Sequence, residues 1–221
     1  MNIENKNLIN ARLMEMGVTL IDPTTTYIDE TVVIDKGVTV YPNCFIEGTT
    51  HLKEGCTIGA NSKIANSIIG ANSKIESSWI INSEIGENTT VGPMAHIREH
   101  CRIGNDVRIG NFVEMKKTIF GDKSRCAHLT YLGDCEVGVD VNIGCGVVTC
   151  NYDGKIKSKT IIGSHSFIGS NANLVAPVSI GDYALVAAGS TVTHDVPSDD
   201  MAIARARQTN KTGYGKRFIE K

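Results

Sequence analysis

The stretch IDETVVIDKGVTVYPNCFIEGTTHLKEGCTIGANSKI, residues 28–64, returns an aliphatic side chain at every sixth place: Ile28, Ile34, Val40, Ile46, Leu52, Ile58 and Ile64. The count resumes as Ile85, Val91, Ile97, Ile103, Ile109, Met115, and again as Ile162, Ile168, Leu174, Ile180, Val186, Val192. The residue four further along is small: Cys44, Thr50, Cys56, Ser62, Ala95, Ala172, Ala184 and Ser190. A fixed short period marks a solenoid. Six residues make one short strand and one turn, and alternate strand side chains face the same way. The aliphatic residue and the small residue two before the next one therefore both point inward. Three such units close a triangular coil of about eighteen residues, which predicts an all-β parallel β-helix over residues 19–196.

The composition agrees. Aromatic residues make up 5% of the chain, with one tryptophan, and a narrow solenoid needs small and medium side chains. The net charge of −2 leaves no electrostatic footprint for nucleic acid. No apolar run approaches the ~20 residues of a membrane span, and MNIENKNLINARL lacks a signal peptide's apolar stretch. These features predict a cytoplasmic protein. The seven cysteines contain no C-x-x-C pair and are read as reduced thiols. Cys44, Cys56 and Cys101 fall at the small inward place and read as core residues.

Residues 1–18 are not hexapeptide. Leu8, Ile9, Leu13 and Met16 fall near one face of a helix that Gly17 would cap. This short linker helix reads as the end of a connector from a preceding domain. The register slips by one residue between Ile64 and Ile69 and between Met115 and Phe120. The largest break, CNYDGKIKSKT at residues 150–160, carries an Asp153-Gly154 turn signal and reads as a loop excursion. Beyond Pro197 the repeat is lost. Residues 197–221 read as an irregular tail made basic by Arg205, Arg207, Lys211, Lys216 and Arg217.

Residues one coil apart stack about 4.8 Å apart. Arg98 and Lys116 are eighteen apart and follow the inward Ile97 and Met115, so both point outward from one face. Stacked cations repel, unless an anion such as a phosphate lies over them; the alternative is two solvated charges that splay apart. His128 lies two residues after the inward Cys126, at a corner, and Cys145 takes the same corner one coil later. A corner histidine could serve as a general base, or could activate Cys145 as a nucleophile; the plain alternative is a surface histidine over a small residue. A zinc site from His96, His100 and His128 needs converging ligands, whereas His96 and His100 sit on one strand–turn unit pointing opposite ways. No metal is expected.

At these residues the chain resembles a known family. The runs GNFVEMKK (residues 110–117), HLTYLGD (128–134), VNIG (141–144), NYDG (151–154) and ARARQTNK (204–211) closely resemble the acetyltransferase half of the bacterial bifunctional N-acetylglucosamine-1-phosphate uridyltransferase/glucosamine-1-phosphate acetyltransferase. The match runs from GVTLIDPTTTYID (17–29) to the tail, and no Gly-rich nucleotide-binding half is present. The resemblance implies a left-handed β-helix, a homotrimer with sites between subunits, and acetyl transfer from acetyl-CoA to glucosamine 1-phosphate. It implies His128 as the general base. Arg98, Lys116, Tyr131, Asn142 and Lys157 would hold the sugar phosphate, and Cys145, Asn151, Tyr152, Ser170, Ala188 and Arg205 acetyl-CoA. Cys145 stands where the family often has alanine, and Ala127 where it often has glycine. The rival readings are a hexapeptide acyltransferase for another amino sugar and a trimeric scaffold without catalysis.

Overall fold

The computed structural model describes residues 3–219. Short parallel strands, most of two or three residues, wind into a solenoid of about ten coils. The predicted inward residues form its core: Ile28, Ile46, Leu52, Ile58, Ile64, Ile97 and Met115 are fully buried, each burial contributing roughly 1.5–3 kcal/mol. Cys44, Cys56 and Cys101 fill the small inward places as expected. Burial pushes the Cys56 and Cys101 thiols up to about 11 and that of Cys126 to about 12.

Coil length varies, and it decides which side chains meet. Ile28 pairs with Ile46 and Ile97 with Met115, eighteen residues on. Ile109 pairs with Cys126 and Cys126 with Ile143, seventeen on. The slips after Ile64 and Met115 recur after Ile75, Ile80 and Leu132. Their cause is local. Most corners turn on one residue with positive φ three places after the inward aliphatic, as at Asn61 and Asn72. At the shorter steps that residue, Asn66, Ser77, Asn82, Lys117 or Asp134, comes two places after it. Asparagine tolerates this left-handed conformation better than most residues.

The 150–160 segment is the predicted excursion. It lengthens one coil, so that Ile143 pairs with Ile168, twenty-five residues on. Asp153 closes its turn by accepting the Lys155 and Ile156 N–H groups at 2.7 Å each, which holds its carboxyl below the usual range.

The N-terminal helix spans Ile3–Glu15 and ends as Gly17 predicts: the Val18 N–H donates to Leu13 O and the Gly17 N–H to Met14 O, with Gly17 at φ +91. Its buried face differs from the expected one. Leu13 is buried and Ile9 partly so, but Leu8 and Met16 are exposed. Lys6 and Asn10 take their places because the helix lies on a loop rich in carbonyls: Asn10 Nδ2 donates to Pro23 O and Thr26 O, and Lys6 Nζ to Thr24 O. Past Val196 the tail is partly regular. Met201–Ala202 adds a strand beside Leu185–Val186, and Tyr214–Ile219 is a short helix.

Candidate active site

His128 stands at a corner in the middle of the solenoid. Because the pairings on both sides of it, Cys126 with Ile143 and Tyr131 with Val148, are offset by seventeen residues, Cys145 stacks on His128. The offsets of the next coils carry the column on to Ser170 and Ala188. One coil in the other direction, Asn111 is the register partner of His128. Asn111, His128, Cys145, Ser170 and Ala188 thus form one column along one corner. At about 4.8 Å per coil, His128 and Ala188 are about 14 Å apart along it. Arg205 joins it from the tail, with Nη1 donating to Ala188 O at 2.6 Å. The N–H groups of Cys145, Ser170 and Ala188 donate to no acceptor among the described residues.

Glycines let the coils close up here. A Cβ at Gly110 would lie 2.0 Å from Ala127 O, and one at Gly144 2.5 Å from the Ser170 nitrogen. Ala127 is the exception in this row, and its half-buried methyl is accommodated. His128 is exposed, and its Nδ1 lies 2.8 Å from Asn111 Oδ1. Asn111 belongs to the GNFVEMKK run, but the hexapeptide period alone does not single it out.

Arg98 and Lys116 do stack on one face, as predicted. They neither splay nor stand bare. Glu99 bridges them, 3.0 Å from Lys116 Nζ and 3.7 Å from Arg98 Nε, and Glu114 Oε1 lies 2.8 Å from Arg98 Nη1. The hydrogen bond from Lys116 is the main reason that the Glu99 carboxyl is held below its usual range. Tyr131, the register partner of Glu114, lies on the same face. Gly133 follows Lys116 in this row, and a Cβ there would lie 2.4 Å from Tyr131 Oη and 2.8 Å from Asn151 Nδ2. The bare glycine makes room for the phenol.

The remaining expected residues divide. Asn151 is buried, with Nδ2 donating to Asp134 Oδ2 at 2.6 Å. It lies beside Tyr131 and Gly133, away from the corner column. Tyr152 and Lys157 form a bridge across the excursion, and both are exposed. Asn142 stacks with Arg125 and Phe167 on the face that precedes the His128 corner, whereas Tyr131 and Lys116 lie on the face that follows it. One chain therefore does not bring Asn142 to the side of Arg98 and Lys116. Of the histidines weighed for zinc, His96 packs edge-on against Trp79, at 5.9 Å between ring centroids, and His100 turns outward at a corner. A broad groove lined by His100, Arg102, Lys117, Glu136 and Lys159 runs along another side and does not include His128.

The corner next to the column has one further feature. Met94, Phe112 and Leu129 occupy its left-handed position on three successive coils, with φ between 45 and 57. Elsewhere along the same corner the position holds Asn43, Asn61, Ser77 and Asn171 or glycine. The three bulky side chains are each more than half exposed and form an apolar ridge beside His128.

The family described as "Bacterial transferase hexapeptide (six repeats)" matches residues 82–117 and 159–194. More particularly, the chain is homologous over nearly its whole length to the bacterial bifunctional protein GlmU. It is 54% identical to that of Clostridium beijerinckii over 95% of this chain and 46% of the relative. It is 50% identical to that of Exiguobacterium sp. over 94% of this chain and 46% of the relative. The chain thus spans about half the length of the curated relatives it matches. Among solved structures, LpxA from Acinetobacter baumannii is similar with a TM-score of 0.36 and 22% identity, over 80% of this chain and 69% of that one.

Proposed function

We propose that the chain transfers the acetyl group of acetyl-CoA to the amine of glucosamine 1-phosphate, giving N-acetylglucosamine 1-phosphate for the synthesis of UDP-GlcNAc in the cytoplasm. The observation that carries this reading is the single corner on which His128, Cys145, Ser170 and Ala188 stack, beside a face bearing Arg98 and Lys116. Acetyl-CoA presents its thioester at the end of an extended arm containing two amides. A column of open backbone N–H groups suits such an arm, and Arg205, held at Ala188, suits the phosphate-bearing end. Asn151 and Tyr152 complete the cofactor contacts.

An ammonium has no lone pair and cannot attack. His128 takes a proton from the amine as the carbon–nitrogen bond forms, and the proton then passes to the leaving thiolate as the carbon–sulfur bond breaks. A positioned base contributes roughly 10²–10⁴-fold. The Cys145 N–H donates to the tetrahedral oxyanion. Arg98 and Lys116, with Tyr131, Asn142 and Lys157, hold the phosphate and aim the amine. The phosphate displaces Glu99 from the two cations, which gives both states a paired charge.

The site is completed by other copies of the chain. Asn142 and Lys116 lie on different faces, so a ligand on one face meets the Asn142 of a neighbour. A C₃ assembly of triangular prisms meets this need, and a neighbour's surface over the Met94–Phe112–Leu129 ridge would bury an apolar patch that is otherwise wet. No metal takes part in this scheme. The test is release of CoA thiol with glucosamine 1-phosphate, glucosamine 6-phosphate and glucosamine as acceptors. Turnover with the 1-phosphate alone or foremost is expected. Preference for another acceptor would make the chain a different acyltransferase, and no turnover with any would make it a scaffold.

A further inference from the structure

Asn111 puts an amide, not a carboxylate, behind the ring of His128, one coil away and 2.8 Å from Nδ1. We propose that Asn111 is a positioning residue that fixes the tautomer of His128. The proposal rests on the reading of His128 as the base. A neutral imidazole carries one N–H, and the hydrogen bond made by one nitrogen sets which one bears it. An amide oxygen can only accept, so Nδ1 carries the hydrogen and Nε2 keeps the lone pair. An unconstrained neutral imidazole favours the opposite tautomer, with the hydrogen on Nε2. Without Asn111 the nitrogen that takes the amine proton would spend most of its time already protonated.

The surrounding backbone is built for this contact. Gly110 allows the Ala127 carbonyl to approach to where a Cβ would lie, 2.0 Å away, which brings the two coils together just before the Asn111–His128 pair. Between 111 and 188 the column holds Asn, His, Cys, Ser and Ala, so Asn111 is its one amide, and it sits next to the one residue that needs an oriented acceptor. As the amine's proton reaches Nε2, the Nδ1–H bond to Asn111 stays in place, and no second proton moves.

The test joins nitrogen-15 spectra of the His128 ring, taken well above the ordinary imidazole range of pH, with steady-state kinetics. The full chain should show His128 with its hydrogen on Nδ1. Asn111→Ala should move it to Nε2 and lower kcat tenfold or more, with KM for both substrates within about threefold. Asn111→Asp, whose carboxylate also accepts, should restore the Nδ1–H signature. Hydrogen on Nε2 in the unaltered chain would overturn the proposal, whether or not a variant folds. So would an Asn111→Ala protein whose kcat stays within about threefold. If the unaltered chain transfers no acetyl group at all, the reading of His128 as a base fails instead, while the spectra still decide what Asn111 does to the ring.

Discussion

At the scale of single residues, His128→Ala should lose well over tenfold in kcat with an unchanged fold by circular dichroism. A smaller loss would remove His128 from the role of base. Cys145 separates two mechanisms. A thiol nucleophile would give an acetyl-enzyme and ping-pong kinetics; a backbone role leaves the side chain dispensable. Cys145→Ala should therefore keep kcat within about threefold, a barrier change of ~0.65 kcal/mol or less, and mass spectrometry after acetyl-CoA alone should find no 42 Da adduct on the wild-type thiol. Arg98→Ala and Lys116→Ala should weaken binding of glucosamine 1-phosphate in calorimetry and spare acetyl-CoA. Equal weakening of both ligands would mean that the stacked pair is not a phosphate site. Most of these residues were legible in the sequence, because a motif names a residue type at a place. Their partners were not. Glu99 and Glu114 reach back to Arg98 and Lys116 through side-chain conformations that no period encodes. Asn111 meets His128 only because the coils there are seventeen residues long; an eighteen-residue count pairs it with Leu129.

At the scale of elements, the hexapeptide period gave the coils, the inward rows and the excursion at residues 150–160, since burial alone fixes which side chains alternate inward. It did not give the extra five-residue steps, which depend on whether the left-handed corner residue sits two or three places after the aliphatic. Nor did it give the strand Met201–Ala202, two residues whose pairing needs only an open sheet edge. On the N-terminal helix an apolar pattern pointed to Leu8 and Met16, while hydrogen bonds to loop carbonyls decided for Lys6 and Asn10. Two measurements bear on the packing. Gly110→Ala should lower stability by about 1–3 kcal/mol through overpacking, read by denaturant midpoint, because backbone rather than a flexible side chain meets the new methyl. Of the seven thiols, only Cys145 and Cys150 are not buried, so a thiol reagent should titrate those two in the native protein and all seven in denaturant. Fast native reaction at Cys56, Cys101 or Cys126, which burial holds up to about 11 or 12, would contradict the assigned inward rows.

At the scale of the whole molecule, the proposed site draws on the surfaces of more than one copy of the chain. The separation of Asn142 from Lys116 by the His128 corner makes this testable. Equal mixing of subunits carrying His128→Ala with subunits carrying Asn142→Ala, after dissociation and reassembly, should restore activity at roughly a quarter of the sites of a C₃ trimer. Recovery of nothing, with trimers intact by light scattering, would place both residues in one subunit's own site. The bond formed distinguishes acetyl transfer to the amine from every rival reaction. Incubation with glucosamine 1-phosphate and acetyl-CoA labelled with carbon-13 at the carbonyl should give, by NMR, an amide carbonyl coupled to the sugar nitrogen with the 1-phosphate intact; label that remains in the thioester, or appears as an ester on a sugar hydroxyl, would contradict it.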